Sequence, residues 1–114
     1  MVIQDEAFFG TEKKYLIEIQ SAGFDMVRDD FEIILRRGGN TIRIPKSDLI
    51  VEPYTVTVDG QEVRKNNYYF TVNTTDLGPG LATIKVIAHV PDTDFQDGIR
   101  DEVDMFNFLR IKSA

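Results

Sequence analysis

The side chains that could carry chemistry in this chain are few, because it has one histidine, His89, and no cysteine. A single imidazole excludes the usual zinc geometries, and the lack of cysteine excludes thiolate nucleophiles and disulfides. None of the serines Ser21, Ser47 and Ser113 lies in a nucleophile-elbow context. Alternation places His89 on the polar face of a strand, where a solvated polar residue is the favoured interpretation. We therefore expect no catalytic residue and a protein that is not an enzyme.

Carboxylates are concentrated between residues 92 and 104, where six acids stand against Arg100 alone. Such oxygens bind Ca²⁺, and Asp92-Thr93-Asp94 followed by Asp97-Gly98 is similar to a calcium loop. The glycine is displaced by one residue from the EF-hand position, and the flanks are predicted strands rather than helices. A solvated loop between strands is favoured over a Ca²⁺ site. We expect no metal and no cofactor.

A basic segment lies elsewhere in the chain, at Arg36, Arg37, Arg43 and Lys46. Nucleic-acid binding calls for a basic domain with interleaved aromatics, whereas this chain has a pI near 4.7. Two uses remain: contact with the acidic segment of a second copy, or a charged tip that keeps edge strands from aggregating. Arg36, Arg37 and Arg43 are candidate interaction residues, and no nucleic-acid partner is expected.

Composition bounds the class of protein. The 114 residues carry 13 Lys plus Arg and 19 Asp plus Glu, a net charge of −6, with 42% hydrophobic residues. This length and composition are typical of one globular domain. No run approaches the roughly 18 apolar residues of a membrane span, and Asp5 and Glu6 stand where a signal peptide would be basic. We expect no membrane partner, and synthesis in the cytoplasm.

The elements that must position these residues are strands. Val, Ile and Thr number 31 against 11 Ala and Leu, and β-branched side chains favour pleated structure. Alternation predicts a first strand over Lys13–Ser21 with its odd-numbered face buried. Leu81–Pro91 is predicted to be a central strand. The last predicted strand, Val103–Lys112, has apolar residues on both faces, which indicates cover on both sides or a partner.

Two hairpins are predicted from turn residues. Gly38-Gly39 as a two-residue turn places Leu35 opposite Ile42 and Ile33 opposite Ile44. Asp59-Gly60 between alternating Val-rich runs is a strong hairpin signal. Asn66-Asn67 is predicted to interrupt the alternating pattern, and a new strand is predicted over Tyr68, Phe70 and Val72.

These elements predict an all-β fold, an antiparallel β-sandwich of about seven strands. An immunoglobulin-like topology is the first choice, since Asp76-Leu77-Gly78 makes a corner before a long penultimate strand, and a small barrel is the alternative. We expect residues 13–112 to form a single immunoglobulin-like domain, preceded by a flexible N-terminal segment, residues 1–12.

Several turn and loop stretches resemble phage sequences. They are Asp29-Asp30-Phe31, Arg36-Arg37-Gly38, Leu77-Gly78-Pro79-Gly80, Val90-Pro91-Asp92-Thr93-Asp94-Phe95 and Asp97-Gly98-Ile99-Arg100. Over about Tyr15–Lys112 the chain resembles short prophage-encoded proteins of gut anaerobes and, in layout, the immunoglobulin-like N-terminal modules of phage baseplate upper proteins. The resemblance implies a virion or tail-associated structural component and brings no catalytic residues.

The sequence thus predicts a non-enzymatic structural or interaction module, a phage-derived assembly component. We expect protein partners, a second copy of the chain among them, and candidate contacts at Tyr69, Phe106 and Phe108 besides the arginines. The alternative is a surface-exposed domain that binds carbohydrate or another ligand on an aromatic platform of Tyr54, Tyr68 and Tyr69. An enzyme of unrecognised type ranks last, because the acids cluster in one loop.

Overall fold

The computed structural model describes residues 5–113. The strands are β1 Asp5–Phe8, β2 Glu12–Ile17, β3 Phe31–Arg37, β4 Asn40–Pro45, β5 Ile50–Val58, β6 Gln61–Asn73, β7 Gly80–Pro91 and β8 Ile99–Lys112. A 3₁₀ turn, Lys46–Asp48, lies between β4 and β5, and a one-turn helix, α1, Thr74–Leu77, lies between β6 and β7.

The strands form two sheets, ordered β1-β8-β7-β3-β4 and β2-β6-β5. β1 pairs with β8 in parallel, and the other strand pairs are antiparallel. The prediction of an all-β sandwich is therefore confirmed. β7 lies at the centre of the five-stranded sheet, as its long alternating pattern predicts.

The core lies between the two sheets, and alternation decides which side chains enter it. Phe31 of the larger sheet meets Tyr68 of the smaller one edge to face, with ring centroids 5.5 Å apart. Phe108 meets Phe70 across the same layer at 6.0 Å. Such tilted aromatic pairs add about 0.5–1.5 kcal/mol beyond the area that they bury. The side chains on the inner faces of β3 and β7 are buried, and Ile33 is 0% exposed.

Both predicted hairpins form, and the Gly38-Gly39 hairpin has the predicted register. Leu35 lies opposite Ile42, and in the turn only Gly38 has a positive φ, 57°, as a type II′ turn requires. Asp59 and Gly60 have φ values of 52° and 80°, the pair of positive angles that a type I′ turn needs. The turn residues therefore predicted both hairpins and, with the flanking apolar residues, the register of the first.

Three local expectations differ from the structure. Part of the segment expected to be flexible, Asp5–Phe8, is a strand, because β8 supplies a parallel partner along its last four residues; residues 1–4 of that segment lie outside the described residues. β6 runs unbroken through Asn66 and Asn67, since both are paired with β5. The first long strand, β2, ends at Ile17 rather than at Ser21.

Candidate functional site

The smaller sheet extends beyond the sandwich as a two-stranded ribbon. β5 and β6 pair as far as Val58 opposite Gln61, whereas β2 pairs with β6 only along Ile17↔Tyr68 and beyond. Residues 53–66, which we call the arm, have no third strand beside them among the described residues. The radius of gyration is 16.1 Å, against about 13 Å for a compact domain of this length, which is consistent with a projecting hairpin.

The arm has one apolar and one polar face, because side chains alternate along paired strands. Tyr54, Val58 and Val63 of the apolar face are 41%, 48% and 38% exposed. No described element covers them. The first face is mostly apolar, with Lys65 opposite Tyr54 and Gln61 opposite Val58. Its apolar members are Tyr54, Val56, Val58 and Val63, and the second face carries Thr55, Thr57, Glu62 and Arg64.

The three tyrosines proposed as an aromatic platform are not assembled. Tyr68 is 3% exposed and belongs to the core. Tyr69 lies on the outer face of the smaller sheet, with the Lys14 ammonium 4.4 Å from its ring centroid. Partial burial raises the pKa of Tyr69, and the nearby Glu52 carboxylate adds to that shift. Tyr54 remains exposed on the arm, so the flat, open set of rings that carbohydrate stacking requires is missing.

The basic residues of the β3–β4 hairpin are largely used within the chain. The Arg37 guanidinium donates from Nε to the Leu77 carbonyl oxygen at 2.8 Å, which ties the hairpin to α1. Arg43 lies 3.3 Å from Glu32, and the Lys46 ammonium donates to the Asp29 carbonyl at 2.8 Å. Arg36 is exposed. Of the candidate interaction residues, Arg36 and Arg43 remain at the surface, and Arg37 is half-buried.

The acidic segment is only partly a loop, because β8 begins at Ile99. Arg100 pairs with Asp92 at 2.5 Å and with Glu102 at 2.8 Å, and these bonds raise its pKa. Within residues 5–113, no group of three acidic or histidine side chains could hold a metal ion. The segment is therefore organised around an arginine in this structure.

His89 lies on the outer face of β7, as predicted, directly opposite Asp101. Its Nδ1 is 2.7 Å from the Asp101 carboxylate. In the described part of the chain, no serine or threonine hydroxyl is hydrogen-bonded to the ring. A nucleophile–base pair would need that contact, so the geometry is that of a cross-strand polar pair.

The two phenylalanines of the last strand both face inward. A bulge in β8 shifts the register between Ala82 and Thr83, so that Phe108 and Leu109 both point into the core. Phe106 packs against the same core and is half-buried, while Met105 on the opposite face is 66% exposed. Phe108 therefore contributes to packing, and the exposed apolar residues of this strand are Ile99, Val103 and Met105.

One side of the sandwich is open. A groove of about 890 Å³ runs between β2 with the residues that follow it and the first two-thirds of β8. Core side chains, among them Ile17, Val86 and Phe106, form its floor. Neither the arm nor this groove was anticipated from the sequence. The sequence held one signal for the arm. The alternating apolar hairpin around Asp59-Gly60 is longer than the strand that lies beside it in the sheet, so part of the hairpin has no third strand to pair with.

No helix in residues 5–113 has the length and apolar character needed to cross a membrane. Comparison with known proteins adds no further constraint: no family model, no curated protein and no solved structure matches the chain.

Proposed function

We propose that this chain is a non-enzymatic, immunoglobulin-like β-sandwich module that assembles with protein partners. The first partner that we propose is a second copy of the chain. The observation that carries the proposal is the arm, whose apolar face no described element covers. A two-stranded hairpin is marginally stable in water on its own, and exposed apolar surface of this kind marks interaction sites. A hairpin of this kind gains stability when further strands pair with it and extend its apolar face.

The strand order supports the immunoglobulin-like assignment. In a seven-strand immunoglobulin domain, one sheet carries the second, fifth and fourth strands, and the other carries the seventh, sixth and third. An added strand after the third joins the second sheet and raises the number of every later strand by one. The orders β2-β6-β5 and β8-β7-β3-β4 follow this arrangement, with β1 added beside β8. The corner at α1 has no tyrosine; its buried polar residue is Thr74.

A second copy fits the arm because β5 is self-complementary. Antiparallel pairing about a two-fold axis through Val56 places Tyr54 opposite Val58 of the partner subunit and Thr55 opposite Thr57 of the partner subunit. Apolar residues then meet on one face and threonines on the other. Residues 53–58 carry no charge, so the two copies bring no like charges together. A contact of this symmetry closes as a dimer.

The phage-derived role rests on the resemblance of the loop stretches to prophage and baseplate proteins. We propose that the module is a virion or tail-associated assembly component. A module whose described residues bring no catalytic groups together, and which exposes a strand free to pair, suits such a role.

Light scattering on the purified chain tests the self-contact. A monomer has a mass of 13.0 kDa, and we expect the mass to approach twice that value as concentration rises. Val56→Lys sets two ammonium groups against each other at the axis and should leave a monomer. Leu81→Lys makes the same change at an exposed apolar residue on the other sheet and should leave the dimer intact. A 13 kDa species at millimolar concentration, or a Val56→Lys dimer, would show that the arm does not bind a second copy.

A further inference from the structure

The open side of the sandwich presents an unpaired strand edge. β1 accompanies β8 only along its last residues, from Leu109 to Lys112. Residues 99–108 of β8 have β7 on one side and no strand on the other among the described residues. This edge is about 34 Å long, at ~3.4 Å per residue. An edge of that length is a template for pairing with another chain.

The two longest free edges among the described strands belong to β5 and β8, and they differ in charge. β5 has nine residues and lies at the margin of the smaller sheet. Its outer part, residues 53–58, has no charged side chain, whereas residues 99–108 contain Asp101, Glu102 and Asp104 against Arg100. A second copy therefore meets a neutral edge at β5 and an acidic edge at β8.

Two of these acids point inward, where a sandwich strand ordinarily places apolar side chains. Glu102 lies opposite Ala88 and Asp104 lies opposite Val86, and directly opposed residues share a face of the sheet. Ala88 and Val86 are 2% and 8% exposed, yet both acids are exposed, because the smaller sheet leaves this side of β8 open. Glu102 pairs with Arg100 at 2.8 Å, and Asp104 has no ion-pair partner among the described residues. Inward-pointing charges are one means by which proteins keep edge strands from pairing.

Pairing between the β8 edges of two copies would set like charges against each other. Antiparallel pairing that keeps both inner faces on one side has its two-fold axis at a residue. An axis at residue 102, 103 or 104, near the middle of the free edge, places Glu102 opposite Glu102, Glu102 opposite Asp104, or Asp104 opposite Asp104. An axis at residue 101 sets the two copies of Asp101 against each other. Like charges directly opposite each other destabilise a strand pair, and the β5 pairing about Val56 contains none.

We propose that Glu102 and Asp104 determine the specificity of self-association: they close the free edge of β8 to a second copy and direct pairing to β5. The choice of β5 rests on the proposed function, whereas the closure of β8 does not. Each edge would pair about its own two-fold axis, so a chain with both edges available would link one copy after another instead of stopping at a pair. The two carboxylates thereby keep the assembly at two copies.

Light scattering on chains whose β5 edge is blocked tests the closure of β8. In the Val56→Lys chain, the double change Glu102→Val with Asp104→Val should raise the mass from 13.0 kDa toward twice that value. Glu102→Gln with Asp104→Asn removes the charges without adding apolar surface, and it should give the same dimer at a higher concentration. Glu32→Val removes a carboxylate from β3, which has a strand on each side, and should leave the Val56→Lys chain monomeric.

Hydrogen exchange locates the new contact. The amides of residues 99–108 should be protected in the dimer, and protection confined to other strands would overturn the proposal. So would a valine variant that stays monomeric at millimolar concentration, or a valine dimer that the Gln/Asn variant does not form, because added apolar surface would then drive the association. If the parent chain is monomeric while the valine variant dimerises, the β5 contact is wrong and the closure of β8 stands.

Discussion

The buried hydroxyl of Thr74 should account for a large part of the stability of the N-terminal strand. Thr74 is fully buried at the start of α1. Its Oγ1 accepts the backbone N–H groups of Gly10 at 2.9 Å and Thr11 at 3.0 Å, and it donates to the Thr11 carbonyl at 2.8 Å. One side chain thus holds the β1–β2 connection against the corner that follows β6. Thr74→Val keeps the shape and removes these three hydrogen bonds together with a longer one from Oγ1 to the Phe8 carbonyl at 3.3 Å.

The expected cost of Thr74→Val follows from what each backbone group retains. Thr11 N–H keeps the Phe8 carbonyl at 3.2 Å, and Thr11 C=O keeps the Thr74 N–H at 3.0 Å. The Gly10 N–H loses its acceptor, although Gly10 is exposed and water can replace part of the bond. Three hydrogen bonds at about 0.5–1.5 kcal/mol each, partly recovered by water, give a loss of about 2 kcal/mol. That is a substantial share of the 5–15 kcal/mol that is typical of a domain.

Urea unfolding followed by far-UV circular dichroism measures this loss; the chain has no tryptophan, so tyrosine emission is the second probe. Thr74→Ser keeps the hydroxyl and loses one methyl group, at about 1 kcal/mol. Thr41→Val, at an exposed threonine of β4, should change stability by less than about 0.5 kcal/mol. The reasoning is refuted if Thr74→Val matches the parent within that margin, or if Thr74→Ser is the more destabilising of the two.

Two further outcomes test other parts of the fold. The Arg28 guanidinium lowers the pKa of Asp29 from 3.8 to about 2, so the carboxylate stabilises the folded state above about pH 4 and that contribution is lost as the pH falls toward 2. The urea midpoint of Asp29→Asn should therefore fall less between pH 5 and pH 2 than that of the parent protein. An identical fall in the two proteins would contradict this. Gly78 has a φ of 87°, and a Cβ there would lie 2.7 Å from Arg37 Nη2, so Gly78→Ala should cost clearly more than the strain of about 1–2 kcal/mol expected at the open turn residue Gly60. Equal losses in the unfolding free energies of Gly78→Ala and Gly60→Ala would show that Arg37 yields freely.

The candidate interaction residues show where reasoning from the sequence stops. Tyr69 was expected at a contact surface and does lie on the outer face of the smaller sheet, but the sequence could not show that the Lys14 ammonium covers its ring. Phe108 was expected at a contact surface and lies in the core, because the bulge in β8 turns two consecutive residues inward. A bulge depends on how two long strands are accommodated side by side, and no residue in the strand announces it.

The sequence by itself determined the parts of this protein that rest on neighbouring residues: the two hairpins, the inward faces of the regularly alternating strands and the all-β class. Turn residues with a positive φ and a two-residue side-chain period act over a few positions, so they can be recognised in one stretch of chain. Only the tertiary structure decided that Asp5–Phe8 is a strand, that the arm extends past β2 and that one side of the sandwich is open. Each depends on which strands lie side by side and on where the shorter strand ends, and that is decided by pairing between segments far apart in the chain.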